Sequence, residues 1–269
     1  MHPFEKQNKG KVYLVGAGPG DPELLTVKAL RTLARADVVL YDALVSRDVL
    51  ALVSPAARLV DVGKRCGEKH ITQDEINELL VRFALLGEVV VRLKSGDPLI
   101  FGRAGEELEA LRRAGIEVQI VPGITAALAA AATAQIALTD RRTADHLLIV
   151  SAHREQGKSE PDWHRHVTSR TTVVIYMPGE YTRIGECLQR AGLQGDTACM
   201  IISKASTPEE QLHRTTLDEL GCAPLFPGPS ILIVGETVAA SSVADLQGFL
   251  TSSVPLQADF LHATPTIEP

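Results

Sequence analysis

The first half of the chain repeats one pattern of apolar and polar positions. Short runs rich in valine, isoleucine and leucine alternate with segments whose apolar residues recur every three or four positions. Continuous short runs are typical of strands covered on both faces, and the wider spacing is typical of amphipathic helices. The pattern predicts strands over residues 12–15, 38–41, 58–62, 89–93 and 118–121.

Helices are predicted between these strands. Asp21 suits an N-cap and Pro22 the first helical position, where the missing N–H of proline is no loss. Thr72 and Glu75 form the pattern of a capping box before another helix. Strands alternating with helices at this spacing predict an α/β fold with a mostly parallel, doubly wound sheet. The remaining helices of this half are predicted over residues 49–53 and 105–114.

The second half of the chain has a different pattern of apolar and polar positions. Its stretch Q-L-H-R-T-T alternates, which predicts an antiparallel or edge strand. An alanine-rich helix after Thr125 has small residues on most faces and should pack tightly. We place the domain boundary there, between domains of residues 10–122 and 125–238, with a tail of residues 239–269. Strands are predicted over residues 147–150, 173–176, 198–202, 211–215 and 231–234, and a helix over residues 184–191.

Residues 89–103 combine a strand pattern with candidate chemistry. They read V-V-V-R-L-K-S-G-D-P-L-I-F-G-R, an apolar run that glycine, aspartate and proline end abruptly. Ligands of open α/β sheets bind beyond the carboxyl ends of the strands, which is where residues 94–103 should lie. A binding site is the first interpretation, and an ordinary strand-to-helix turn is the alternative.

Composition narrows the class of protein. The chain has 269 residues, of which 45% are hydrophobic and 22% charged, and its net charge of −6 gives no electrostatic case for nucleic acid. The amino terminus has no apolar core of a secretory signal, and the most apolar stretch, residues 126–138, is too short to span a membrane. The four cysteines are scattered without a C-x-x-C pair, which predicts reduced thiols in a cytoplasmic protein.

Cations nevertheless cluster after three predicted strands. In an acidic protein such clusters predict a locally positive cleft that could hold a polyanion, since charge-assisted hydrogen bonds are the strong ones. Solvated loop cations are the alternative for any one of them. The histidines show no metal spacing, so no metal site is expected. The clustered side chains are Lys64, Arg65, Lys69 and His70, then Arg92, Lys94 and Arg103, then Arg141, Arg142, His153 and Arg154.

The turn G-A-G-P-G-D suggests a dinucleotide site, with Asp42 as the ribose-binding acid. Asp21 stands where that fingerprint needs glycine or alanine, and its carboxylate would repel a phosphate at the helix N-terminus. Pro19 also removes one N–H from the loop that would cradle a pyrophosphate. These features count against nicotinamide binding.

Six ordered motifs between residues 11 and 238 carry a more specific signal. They are G-A-G-P-G-D-P-E-L-L-T, Y-D-A-L-V, V-G-K-R, R-L-K-S-G-D-P-L-I-F-G-R-A-G-E-E, V-P-G-I-T-A and V-I-Y-M. The set resembles the tetrapyrrole methylase family and, within it, the uroporphyrinogen-III C-methyltransferases. The resemblance implies two α/β domains, a mostly parallel N-terminal sheet and a mixed C-terminal sheet, with the ligand cleft between them, and a homodimer.

The resemblance also implies an activity and its residues. S-adenosylmethionine would methylate uroporphyrinogen III at C2 and C7, giving precorrin-2 and S-adenosylhomocysteine. Asp42 and Lys64 match family positions proposed for proton transfer, and Arg103, Glu106 and Arg141 match residues of the tetrapyrrole pocket. The implied S-adenosylmethionine contacts are Pro19, Ser95, Gly96, Asp97, Ile100, Thr125, Ala126, Met177 and Ala205.

Two departures from the family pattern stand next to these positions. Ser95 replaces a usual glycine, which puts the backbone conformation there in question, and Asp140 replaces a usual histidine beside Arg141. Glu106 among cations would contact pyrrole N–H groups or orient Arg103. Three alternatives stay open: a methyltransferase acting on a later corrin precursor, a tetrapyrrole-binding protein with little turnover, and the nicotinamide reading.

Overall fold

The computed structural model describes residues 9–63, 71–153 and 163–241. Within them, ten strands form two five-stranded sheets. The strands are β1 Lys11–Gly16, β2 Val38–Tyr41, β3 Arg58–Asp61, β4 Val89–Lys94, β5 Glu117–Val121, β6 His146–Ser151, β7 Thr171–Tyr176, β8 Ala198–Ser203, β9 Gln211–Thr216 and β10 Ser230–Val234. The α-helices are α1 Val27–Leu33, α2 Arg47–Leu50, α3 Gln73–Leu85, α4 Ala104–Arg113, α5 Ala126–Thr133, α6 Tyr181–Arg190 and α7 Glu236–Ala239.

The first sheet is parallel throughout and has the strand order β3-β2-β4-β1-β5. Its central strands β1, β2 and β4 carry the most continuous apolar runs because both of their faces are covered. One face packs with α3 and α4, and the other with α1 and α2, giving two hydrophobic clusters. The predicted parallel, doubly wound sheet is confirmed.

The second sheet is mixed, with the order β6-β7-β10-β8-β9. β6 and β7 are parallel, whereas β10 is antiparallel to both β7 and β8. β9 is an edge strand paired antiparallel with β8, as its alternating sequence predicts. Helix α5 contributes its buried alanines to the core that includes residues of β7, β8 and β10, so the helix packs with the second sheet.

The start of the first helix differs from the prediction. Asp21 caps a short 3-10 turn, Pro22–Leu24, by accepting a hydrogen bond from the Glu23 N–H at 2.8 Å. Helix α1 begins only at Val27, where the Thr26 hydroxyl accepts from the Ala29 N–H at 3.1 Å. The predicted capping box of α3 is present. No helix in the described ranges is long and apolar enough to cross a membrane.

The strand directions place the candidate site. All five strands of the first sheet end at one edge, where the loops after β1, β4 and β5 lie side by side. In the second sheet β6, β7 and β8 run in one direction, so their carboxyl ends also share an edge. Contacts of Tyr176, at the end of β7, with the loops of the first sheet bring the two edges together.

Candidate functional site

Three glycines allow the loops of the first sheet to touch through their backbones. A Cβ atom on Gly16 would lie 2.6 Å from the Gly123 Cα and from the Gly96 carbonyl oxygen. A Cβ on Gly123 would lie 2.3 Å from the same oxygen. Gly18 and Gly96 also exchange backbone hydrogen bonds, at 3.2 and 2.7 Å. The loops after β1, β4 and β5 therefore form one backbone-lined floor.

The loop after β4 has its left-handed residue at Gly96 and not at Ser95. Gly96 has a φ of 67°, while Ser95 is not among the residues with positive φ in the described ranges. Serine therefore fits this position without strain in its backbone. Asp97 fixes the same loop, because its carboxylate accepts hydrogen bonds from the Leu99 N–H at 2.8 Å and the Gly123 N–H at 3.0 Å. Its position is set by the fold before any ligand binds.

Tyr176 joins the two sheets. Its hydroxyl lies 2.5 Å from the Thr125 hydroxyl and accepts a hydrogen bond from the Ala127 N–H at 2.9 Å. Thr125 occupies the N-cap position of α5, but its side chain makes no capping hydrogen bond. The tyrosine hydroxyl instead accepts from one of the free N–H groups at the start of the helix. Burial, as the largest cause, raises the pKa of Tyr176, so the hydroxyl stays protonated. The Phe101 ring packs 5.0 Å from the Tyr176 ring.

The loop after β8 meets the loop after β1 from the opposite side. A Cβ on Gly20 would lie 2.7 Å from the Thr207 methyl, so the backbones of residues 18–20 and 204–207 run close together. Pro19 belongs to the first of these segments and Ala205, which is buried, to the second. The structure thus brings together Pro19, Gly96, Asp97, Thr125, Ala126 and Ala205 around one floor.

Apolar side chains stand exposed beside this floor. Ile100 is 37% exposed, Phe101 48% and Met177 47%. Phe101 and Met177 have φ values of 51° and 50°, an uncommon backbone for such bulky residues, and strained residues of this kind cluster at functional sites. Exposed apolar groups beside a backbone-lined floor are typical of a small-molecule pocket.

A buried charge network lies under Asp42. Arg92 donates from Nη2 to the Asp42 carboxylate and from Nε to the Glu107 Oε1 at 2.9 Å. Lys94 donates to the same Glu107 oxygen at 2.9 Å. Burial and then the neighbouring Arg92 lower the pKa of Lys94. Arg92 and Lys94 are only 2% and 3% exposed. The expectation that they belong to an open cationic cleft is therefore wrong, because an internal carboxylate already pairs with them.

Arg103 and Glu106 form a two-pronged ion pair at the start of α4. Arg103 donates from Nε and Nη2 to the two Glu106 oxygens, each at 2.7 Å, and both side chains are about half exposed. Of the two roles expected for Glu106, this ion pair is compatible with orienting Arg103. The Arg103 side chain is 48% exposed.

Arg141 stands in a turn that its neighbours hold on both sides. Asp140 pairs with Arg142, through Nε at 3.0 Å and Nη2 at 2.7 Å, and these hydrogen bonds lower the pKa of Asp140 to about 2. Arg170 donates to the Arg141 carbonyl oxygen at 3.3 Å. The Arg141 side chain is exposed. The Asp140 pairing stabilises the turn above about pH 4 and is lost as the pH falls through about 2.

Several predicted residues cannot be placed. Lys64 lies outside the described residues, as do Arg65, Lys69, His70 and Arg154. Two residues with clear roles in the geometry were missed at the level of sequence, namely Glu107 and Tyr176. The adjacent glutamates at residues 106–107 were a signal that one of them, Glu107, is buried, because neighbouring side chains on a helix point in different directions. Among the described residues, no group of metal-ligating side chains is present.

The fold and the site together define a class. The chain is a two-sheet α/β protein in which the carboxyl edges of the two sheets meet, and open α/β sheets bind their ligands at such edges. Within that class it belongs to the family described as Tetrapyrrole (Corrin/Porphyrin) Methylases, whose pattern it matches over residues 11–221. The predicted family and fold class are confirmed.

Individual relatives support this assignment. The chain is 46% identical over 240 residues to the uroporphyrinogen-III C-methyltransferase of Paracoccus denitrificans, covering 87% of this chain and 83% of that protein. It is 47% identical to the siroheme synthase of Actinobacillus succinogenes, but spans only 48% of its length. A crystal structure of the Thermus thermophilus uroporphyrin-III C-methyltransferase with S-adenosylhomocysteine superposes with a TM-score of 0.74 at 42% identity, covering 86% of this chain and all of that one.

Proposed function

We propose that this protein is an S-adenosylmethionine-dependent methyltransferase that converts uroporphyrinogen III to precorrin-2 by methylating C2 and C7. The observation that carries the proposal is the floor of loops after β1, β4 and β5, which the contacts of Tyr176 bring against the second sheet. A neighbour with the same fold is described in complex with S-adenosylhomocysteine. The relatives that share this architecture are named for uroporphyrinogen III methylation.

The cleft suits the proposed cofactor. S-adenosylmethionine combines a flat, partly apolar adenine with a polar ribose and a charged amino-acid end. The floor offers backbone groups where side chains have no room, as the crowding between Gly16 and Gly123 shows. Ile100 and Met177 offer exposed apolar surface to the adenine and the thioether carbons. The proposed contacts are Pro19, Ser95, Gly96, Asp97, Ile100, Thr125, Ala126, Met177 and Ala205.

The chain's own residues would bind the macrocycle and remove a proton. When bound, S-adenosylmethionine supplies an electrophilic methyl group, and a pyrrole carbon of uroporphyrinogen is electron-rich enough to accept it. Positioning the two reactants should therefore supply much of the rate. The macrocycle must then lose a proton, and the Asp42 carboxylate, which is 30% exposed and held by Arg92, is our candidate base. Lys64 is the second candidate for proton transfer.

The substrate carries eight carboxylates, which exposed cations would bind. Among the described residues, Arg103 and Arg141 are exposed, Arg103 beside its Glu106 pair and Arg141 between the paired Asp140 and Arg142. Arg92 and Lys94 are buried and committed to Glu107. We therefore assign the binding of substrate carboxylates to Arg103 and Arg141, with Glu106 orienting Arg103.

An anaerobic assay tests the function. The purified protein is given S-adenosylmethionine and uroporphyrinogen III without oxygen, and product mass and pigment absorbance are followed. We expect a gain of two methyl groups. A product without added methyl groups would overturn the proposal, and turnover only with a later corrin precursor would move the protein to another member of the family. If calorimetry showed that the protein binds NAD and not S-adenosylmethionine, the result would support the nicotinamide hypothesis.

The proposal also includes the oligomeric state, the cellular compartment and the domain boundary of the protein. We infer a homodimer, a cytoplasmic setting and a domain boundary between residues 122 and 125. The buried alanines of α5 pack with the second sheet, which supports the boundary. Cys187, Cys199 and Cys222 are free thiols, which supports a reducing compartment. Light scattering of the purified protein and fractionation of its host cells test the first two.

A further inference from the structure

Glu107 is a carboxylate with no exposed surface, placed between two cations. Its Oε1 accepts hydrogen bonds from Arg92 Nε and Lys94 Nζ, each at 2.9 Å, and from Gln73 Nε2 at 3.3 Å. Its Oε2 is buried and has no hydrogen-bond partner within the described residues. Burying charges costs free energy that hydrophobic residues of the same size would not cost, so stability alone is a weak reason for such a network.

Arg92 links this carboxylate to Asp42. Its Nε bonds to Glu107, its Nη2 pairs with Asp42, and its Nη1 donates to the carbonyl oxygens of Leu93 at 3.2 Å and Leu40 at 3.4 Å. The planar guanidinium is therefore held from several directions. The exposure rises along the chain of contacts, since the side chain of Glu107 is 0% exposed, that of Arg92 3% and that of Asp42 30%. Asp42 is the end of the network that reaches the surface.

We propose that Glu107 and Arg92 are positioning residues that aim the Asp42 carboxylate for proton removal. This inference rests on the proposed function and deepens it. Arg92 fixes the Asp42 carboxylate through Nη2, and Glu107 fixes Arg92 through Nε, so the position of Asp42 depends on a fully buried carboxylate.

The groups that face Arg92 come from four elements. They are Asp42 after β2, Lys94 on β4, Glu107 on α4 and, through Glu107, Gln73 on α3. Lys94 is the second cation on Glu107, so Glu107 balances two positive charges beneath one catalytic carboxylate. Removing the Glu107 charge leaves Arg92 with Asp42 as its remaining carboxylate partner in the described structure.

Glu107→Gln tests the proposal with little change of shape. We expect kcat to fall about tenfold to a hundredfold, as for a misplaced reacting group, with the KM values for both substrates nearly unchanged. Gln73→Ala removes a neutral contact to the same oxygen and is the matched control, with a kcat that stays nearly unchanged.

A double-mutant cycle separates positioning from a structural role. Asp42→Asn should itself lower kcat while S-adenosylhomocysteine still binds. When Glu107→Gln is added to Asp42→Asn, kcat should not fall further. Additive losses would overturn the inference, and so would a loss that appears in KM and not in kcat. Should Glu107→Gln fail to fold, Arg92→Lys enters the same cycle, since a lysine keeps the charge but cannot span both carboxylates. Lack of methyl transfer by the unaltered protein would instead overturn the proposed function.

Discussion

At the scale of single residues, the loop after β4 shows which position needs glycine. Gly96 has a φ of 67° and exchanges two hydrogen bonds with Gly18, whereas the neighbouring Ser95 has no left-handed backbone. A Cβ on Gly96 would come no closer than 3.8 Å to another atom, so space is not the constraint. The backbone conformation is the constraint at residue 96, and residue 95 tolerates a side chain.

The two positions should therefore respond differently to substitution. Gly96→Ala should destabilise the protein by about 1–2 kcal/mol, the cost of a left-handed conformation for a residue with a Cβ. Ser95→Gly should change the free energy of unfolding by less than about 1 kcal/mol and in the unfavourable direction. Urea denaturation of both variants measures this. A stabilising Ser95→Gly would show that the serine is strained after all.

Arg103 offers a test of the substrate side of the site. Arg103→Ala should raise the KM for uroporphyrinogen III by about tenfold or more, because a charge-assisted hydrogen bond contributes about 1.5–3 kcal/mol. S-adenosylmethionine affinity should stay nearly the same. Steady-state kinetics and calorimetry give the two values. Arg113→Ala removes an exposed arginine of the same helix that pairs with Glu109, and it is the control for loss of a surface charge. Equal loss of both affinities in Arg103→Ala would indicate a folding role.

Sequence predicts the kinds of residue at this site better than their partners. Arg92 and Lys94 were recognisable as cations at a strand end, but their partner Glu107 is 15 and 13 positions away from them, respectively, on a helix. No spacing rule states which face of that helix covers the strand. The Thr72 capping box was predictable because its two members are three positions apart. Local pairs can be read from sequence, and buried tertiary pairs cannot.

At the scale of elements, strands were easier to predict than helix starts. Each predicted strand is present because runs of apolar residues report burial on both faces directly. The start of α1 was misplaced because Asp21 and Thr26 both suit an N-cap. Each of them does cap a segment, a 3-10 turn and the helix respectively. The prediction named Asp21 alone, so it placed the start of the helix too early in the chain.

The start of α5 shows an element that depends on a distant residue. Its N-cap Thr125 makes no capping bond, and the Tyr176 hydroxyl serves the Ala127 N–H instead. Tyr176→Phe should therefore destabilise the protein by about 1–3 kcal/mol, because it leaves a buried N–H without a partner. It should also weaken S-adenosylhomocysteine binding through the displaced Thr125 and Ala126. Thermal denaturation and calorimetry measure the two effects.

Tyr181→Phe is the matched control for that variant. Tyr181 is buried, and its hydroxyl has no hydrogen-bond partner in the part of the chain that the structure describes. Removing the Tyr181 hydroxyl should lower the free energy of unfolding by clearly less than removing the Tyr176 hydroxyl. If the two variants were equally stable and bound the ligand equally well, the Tyr176 hydroxyl would have no part in organising the site.

At the scale of the whole molecule, the site exists because two carboxyl edges face each other. Neither sheet alone supplies the proposed contacts, since Pro19, Gly96 and Thr125 come from the loops of the first sheet and Met177 and Ala205 from those of the second. The sequence could place each residue at a strand end. It could not show that the two edges meet, because Phe101 and Tyr176, whose rings touch, are far apart in the chain.

A ligand that contacts both edges should stabilise both halves together. At a concentration about 100 times its Kd, S-adenosylhomocysteine should raise the free energy of unfolding by about 2.7 kcal/mol. Hydrogen exchange should slow in residues 95–103 and 176–179, while the amides on the unpaired edge of β9, an edge strand of the second sheet, should exchange at an unchanged rate. Mass spectrometry of peptides from both regions measures this. Protection confined to one half would mean that the ligand binds a single domain, and it would contradict a binding site between the two sheets.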